Sequence, residues 1–203
     1  MKTKSFLLIV IFLLPFIGFS QSIENIEYIS PFNDEVAAIK KGDQWAFIDR
    51  NGELIINFRS DLVPLNSKDK KYPVFNDGRC LYKEEKEGIT YFGFIDKTGA
   101  AVIDARYLNA SHFNDGIALV LELVKRNVGS NQMLKKPLVA YEYFEAIIDP
   151  KAEILHYLVE DPVHVTLDKK FLREPPPIRS KVISKKLIAQ LNAKNKWVIK
   201  KIQ

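Results

Sequence analysis

From residue 36 onward the apolar positions come in short runs of about three to six residues, cut apart by Asn, Asp, Gly and charged residues. "VAAI" at 36–39, "WAFI" at 45–48, "LII" at 54–56, "CLY" at 80–82, "FGFI" at 92–95 and "AVI" at 101–103 are all too short for a stand-alone helix. Their spacing by turn residues predicts strands joined as hairpins.

The runs repeat in order. A first phrase reads "FNDEVAAI" at 32–39, "FNDGRCLY" at 75–82 and "FNDGIALV" at 113–120. A second follows each time: "WAFIDRNGELII" at 45–56, "FGFIDKTGAAVI" at 92–103 and the degraded "EAIIDPKAEIL" at 145–155. Three units starting near 32, 75 and 113, with two phrases apiece, predict a stacked repeat architecture in which each unit covers a neighbour's apolar face.

Within the second phrase, Asp49 and Asp96 precede two polar residues and then Gly52 and Gly99. An Asp side chain accepts bonds from amides further on, and Gly takes a positive φ at little cost, so each pair predicts a tight turn with a Gly bulge. Asp149 is followed by Pro150, with Ala152 where Gly stood, which predicts a different turn in the third unit. In the first phrase Ala37, Cys80 and Ala118 are equivalent, as are Ile39, Tyr82 and Val120, and alternation puts both sets on one face. Cys80 therefore reads as a small core residue rather than a nucleophile.

The phrases resemble the WG repeat family, written roughly F-x-x-G-x-A-x-V and then W-G-x-I-D-x-x-G-x-x-V-I, over about residues 28–155. No position reads Trp-Gly: Trp45-Ala46, Phe92-Gly93 and Glu145-Ala146 stand there. The resemblance implies β-rich stacked units on secreted or surface proteins, acting as binding modules, and it implies no catalytic residue.

Loops that differ between repeats are where recognition is commonly placed. Unit two carries "KEEKEG" at 83–88. Unit three carries strand-like stretches at 119–124 and 138–144 around the polar 125–136, an extended hairpin with a basic tip, which is the expected contact site. Tyr141 and Tyr143 share a face there, for stacking on a sugar or, as the favoured reading, for packing across strands.

Past His156 the pattern stops. "REPPPIRS" at 173–180 predicts an extended linker. Ile183, Leu187 and Leu191 at four-residue spacing, with lysines between, predict an amphipathic helix capped by Ser180, and "KWVIKKI" predicts a last strand. That helix is expected to cap the open end of the stack, with membrane-surface contact as the alternative.

Lys2 and Lys4 precede an apolar run from Phe6 to Phe19, shorter than the roughly 20 residues of a membrane span and broken by Pro15. This is the layout of a signal peptide cleaved after Ser20, and it predicts a secreted or periplasmic protein. The expected organisation is a signal peptide at 1–20, a β repeat domain at 21–160 and a basic segment at 161–203. The overall class is mainly β, or α+β counting the helix.

The net charge of +5 hides an asymmetry. Residues 21–168 hold 17 Lys and Arg against 24 Asp and Glu, whereas 169–203 hold 11 against Glu174 alone. An acidic body and a basic tail predict either mutual attraction or contact with an anionic surface. Export and the lack of interleaved aromatics and lysines outside the tail disfavour nucleic acid.

No Gly-rich phosphate loop or catalytic motif stands in the chain. Asp49, Asp96 and Asp149 are explained by their turns. His156, Glu160 and His164 share parity, but Asp161-Pro162 interrupts them and no further ligand is near; His112 is isolated. "NAS" at 109–111 matches a glycosylation sequon by pattern alone. No catalytic, cofactor-binding or metal site is expected. The expectation is a non-catalytic exported module for a protein or glycan partner; the alternatives are an envelope attachment protein working through its tail and a hydrolase with an unrecognised site.

Overall fold

The computed structural model describes residues 22–67, 71–131, 136–159, 161–192 and 194–202. Residues 1–20, the hairpin tip at 132–135 and Glu160 lie outside the described residues, so the expected signal peptide and part of the expected contact site do too. Every regular element among the described residues is a strand.

Unit one is β1 (Tyr28–Ile29), β2 (Ala37–Lys41), β3 (Gln44–Ile48) and β4 (Leu54–Arg59), paired antiparallel in that order. Unit two repeats it with β5 (Phe75–Asn76), β6 (Arg79–Lys86), β7 (Ile89–Ile95) and β8 (Ala101–Tyr107). In unit three, β9 (Ala118–Asn131) and β10 (Lys136–Ile148) form the long hairpin expected around 125–136. Two short strands, β11 (Ile154–Tyr157) and β12 (Val163–Val165), lie one after the other along the far edge of β10. A last meander comprises β13 (Ser180–Ser184), β14 (Leu187–Leu191) and β15 (Trp197–Lys201).

The helix expected at 180–191 is therefore β13 and β14. A four-residue spacing of Ile183, Leu187 and Leu191 satisfies a strand of period two as well as a helix, so the pattern is ambiguous. What decides it is pairing: β14 bonds β13 on one side and β15 on the other. The turn into β15 is the repeat's own. The Asn192 Oδ1 accepts the amides of Lys194 and Lys196 at 2.9 and 3.0 Å. The Asp49 Oδ1 accepts those of Asn51 and Glu53, both at 2.9 Å. The meander is a fourth, degenerate unit.

The third unit's turn also differs from expectation, because it is not a different turn at all. Asp149 Oδ1 accepts the amides of Lys151 and Glu153 at 2.9 Å, as in unit one. Ala152 takes φ +65° where Gly52 and Gly99 take +81° and +83°. The Asx bonds and the flanking strands hold alanine in a left-handed conformation that costs a non-glycine residue about 1–2 kcal/mol.

The units stack through alternate faces of their strands. The first core joins Ala38, Trp45, Phe47 and Ile56 of unit one to Cys80, Tyr82 and Ile95 of unit two. The second joins Leu81, Phe92 and Phe94 of unit two to Ala118, Val120, Ala146 and Ile148 of unit three. The phenylalanine opening each unit sits on a phenylalanine of the unit before: Phe75 on Phe47 and Phe113 on Phe94, each edge-on with centroids 4.7 Å apart. Phe32 has no earlier unit beneath it among the described residues and is 42 % exposed.

The Asn-Asp of the first phrase does more than turn the chain. The Asn33 amide donates to the Phe75 carbonyl and to Asn76 Oδ1, and the Asn76 amide donates to the Phe113 carbonyl at 2.9 Å. Asp34 and Asp77 accept the amides of Gly78 and Gly116 at 2.8 and 2.9 Å. These bonds form a ladder along one edge of the stack and fix its register.

In unit two the backbones approach closely. A Cβ on Gly93 would lie 2.4 Å from the Ile103 carbonyl oxygen, at a bulge between β7 and β8. There the Tyr82 hydroxyl accepts the freed Ala105 amide at 3.0 Å.

The fourth unit packs on the third through Ile188, Val182, Ile178 and Ile202 against Ile117, Leu119, Ile147 and Leu158. Aligned on the shared turn, Ile188 occupies the position of Trp45 and Phe92, and Gln190 that of Phe47 and Phe94. In the first two units those residues point toward the next unit. Here they point back at the third, so the last unit is turned over and closes the stack as a cap, by a sheet where a helix was expected.

Candidate anion-binding groove

Between β12 and the fourth unit the chain crosses the stack and makes a tight turn at 168–172. Asp168 Oδ1 accepts the Lys170 amide at 2.7 Å, and the Asp168 carbonyl accepts the amides of Phe171 and Leu172 at 2.9 Å. Leu167 and Leu172 pack into a cluster with Ile89, Leu108 and Leu121, anchoring the turn on both sides. The residues between and beyond the anchors have no apolar place to go. Lys169, Lys170, Phe171 and Arg173 are exposed, Phe171 at 69 %.

Opposite this turn stands the tip of the β6–β7 hairpin, in the "KEEKEG" loop singled out by its variation between units. Gly88 takes φ +76°, and the Lys169 side chain lies so close over it that a Cβ there would meet Lys169 Cδ at 2.7 Å. Together Glu85, Gly88, Thr90, Lys169, Lys170 and Arg173 line an open groove of about 560 Å³. The Lys170 ammonium lies 5.6 Å from the Phe171 ring centroid. Three cations outnumber the one lining carboxylate, so the groove favours an anionic guest.

The residues weighed for chemistry are dispersed. Asp49, Asp96 and Asp149 lie in three separate turns, each bonded to its own loop. The Asp49 carboxyl is held below its ordinary range chiefly by the Glu53 amide, and Asp96 by the Thr98 hydroxyl. Cys80 is fully buried in the alanine slot, and burial pushes its thiol far above the ordinary cysteine range. His112 is pushed down to about 4 by burial. His156 pairs with Ile147 and His164 with Glu142, positions on opposite faces of β10, so the parity seen along the chain does not bring them together. No group of three metal-ligating side chains occurs among the described residues.

Tyr143 packs into the cluster around Leu121, the packing role favoured for it, while Tyr141 is half-buried with the Lys125 ammonium 6.0 Å from its ring. Asn109 of the sequon donates to the Pro176 carbonyl at 2.8 Å and so ties the proline-rich segment to unit three. Sequence reasoning missed two buried carboxylates on β10. Glu142 is ion-paired with Arg126 at 3.1 Å and lies 3.3 Å from His164 Nδ1. Glu145 stands where Trp45 and Phe92 stand and accepts the Arg179 amide at 3.3 Å. The sequence signal was there in the loss of the aromatic.

The repeat geometry has a counterpart among known families: the model of the WG containing repeat matches residues 25–45, 45–83 and 92–122. The chain is a WG repeat-containing protein. In this WG repeat protein the matched segments cover the first two units and the start of the third, while the turned-over fourth unit lies beyond them. No curated protein and no solved structure matches the chain.

Proposed function

We propose that this WG repeat protein is a non-catalytic, exported binding module that holds an acidic glycan strand in the groove between the β6–β7 tip and the 168–173 turn. The observation that carries the reading is the anchored presentation of Lys169, Lys170 and Arg173 along the groove, with Phe171 exposed on the same turn beside Lys170. An aromatic face receives a pyranose ring, cations receive its carboxylate or sulfate, and the half-buried Leu167 and Leu172 keep both in place before the ligand arrives. The secretory-type leader at 1–20 and the repeat family support action in the periplasm or outside the cell. The apparatus for turnover is not part of the reading: the acidic residues in the turns are bonded to their own loops.

The test is binding of residues 21–203 to polyuronate and to an uncharged glucan, by calorimetry at low and high salt. Polyuronate is expected to bind, to weaken as salt screens the exposed cations, and to lose most of its affinity in a Lys169→Ala, Lys170→Ala, Arg173→Ala variant, with Phe171→Ala weakening it independently of salt. Equal binding of both polymers, or a triple variant that binds polyuronate as well as the parent, refutes the groove.

A further inference from the structure

The cap of a repeat stack ordinarily turns a polar face to water. The fourth unit does not. Because it is turned over, the face that in the other units receives a neighbour looks outward. Pairing across β13, β14 and β15 puts Lys181, Ala189 and Ile199 in one row of that face, Leu191 and Trp197 in the next, and Leu187 and Lys201 in the third. Ile199 is 66 % exposed and Trp197 48 %, with Ile183 at the bulge also open. The Lys181 ammonium sits 4.9 Å from the Trp197 ring centroid, so the cation is held in the plane of the apolar patch.

Charge selects the occupant. Between Pro175 and Gln203 the chain contains no Asp or Glu, while Lys185 and Lys186, in the turn between β13 and β14, add to Lys181 and Lys201 around the face. A soluble protein partner for a flat apolar face would meet this lysine rim only with a matching acidic rim. A lipid surface supplies anionic headgroups and an apolar interior at once, and an interfacial tryptophan flanked by lysines suits that boundary. We propose that the outer face of the fourth unit docks the protein on an anionic lipid surface, with Trp197 and Ile199 dipping between headgroups and the lysines ringing them. This site is separate from the groove of the preceding section and does not depend on it.

The chain carries its own reporter, since Trp45 is buried in the first core and Trp197 is exposed. Residues 21–203 are mixed with vesicles of phosphatidylcholine alone and of phosphatidylcholine with phosphatidylglycerol, following sedimentation and tryptophan emission. Mixed vesicles are expected to sediment the protein and shift the Trp197 emission to the blue, in the parent and in a Trp45→Phe variant, while neutral vesicles do neither. A Lys181→Glu, Lys201→Glu variant is expected to bind more than about tenfold more weakly, and Ile199→Ser to bind more weakly with an unchanged circular dichroism spectrum and melting midpoint. The Lys169→Ala, Lys170→Ala, Arg173→Ala variant is expected to bind vesicles as the parent does, which separates this proposal from the groove. No emission shift with anionic vesicles, or vesicle binding untouched by charge reversal, overturns it. So does concentration-dependent self-association that Ile199→Ser abolishes while vesicles go unbound, which would make the face an interface between copies.

Discussion

Replacing Asn76 by alanine removes its bond to unit three and the acceptor it offers the Asn33 amide of unit one, which keeps the Phe75 carbonyl as a partner, and the ladder supplies its own control. The Asn76 amide donates to the Phe113 carbonyl at 2.9 Å, and Phe113 is 1 % exposed, so water replaces that bond poorly. A neutral hydrogen bond contributes about 1 kcal/mol net, and stranding a buried acceptor costs about 1–3 kcal/mol. The expected loss for Asn76→Ala is therefore about 1–2 kcal/mol, or about 2–4 °C in the midpoint for each kcal/mol in a chain of this size. Asn114 holds the same place in the third unit, but its side chain bonds nothing among the described residues, because the turned-over fourth unit offers it no following phenylalanine carbonyl. Asn114→Ala should fall within about 0.5 kcal/mol of the parent. The assay is urea unfolding of residues 21–203 followed by the emission of buried Trp45 and by circular dichroism. If Asn114→Ala costs as much as Asn76→Ala, the asparagines act only within their own turns and the inter-unit ladder carries no energy.

Two further outcomes rest on local strain and on charge. Ala152→Gly relieves a left-handed alanine in a turn where the first two units use glycine, and should raise stability by about 0.5–1 kcal/mol after the larger chain entropy of glycine is allowed for, read as a higher urea midpoint; a lower midpoint would mean that the Ala152 methyl contributes more to the second core than its backbone costs. His112 titrates near 6.5 when unfolded but only at about 4 when folded, because burial disfavours the imidazolium. The unfolded chain thus takes up a proton that the fold refuses: the stability is fully present above the unfolded value and is lost as pH falls through the interval, by at most about 1.4 kcal/mol per pH unit. Between about pH 7 and about pH 5 the urea midpoint of the parent should fall by more than that of His112→Leu, which has no imidazole to protonate; equal losses would mean that His112 is not the group responsible.

Much of the architecture was legible in the chain, for particular reasons. The repeated phrases stated the strands, their turns and the sharing of faces, because alternation of period two and an Asp-to-Gly turn are local signals that tertiary context rarely reverses. The alanine slot identified Cys80 as core from the alignment alone. The long third hairpin and the final strand were also readable. Three features were not. Spacing of four residues fits a strand and a helix equally, so β13 and β14 read as a helix until pairing chose between them. Alanine at Ala152 suggested another turn, because the strain that a folded neighbourhood can impose is invisible in one residue's preference. The groove escaped because its cations follow its hairpin by some eighty positions.

The sequence by itself determined the unit: which residues turn, which alternate, and which face of each strand must be dry. The tertiary structure alone decided how the units meet. It linked the asparagines into a ladder, turned the last unit over so that an apolar face looks outward, and brought Lys169, Lys170 and Arg173 against Thr90. The physical reason is that turn and strand preferences act over a few neighbouring residues, whereas the orientation of one sheet on another is set by which faces pack together with the least apolar surface and the fewest polar groups left without partners.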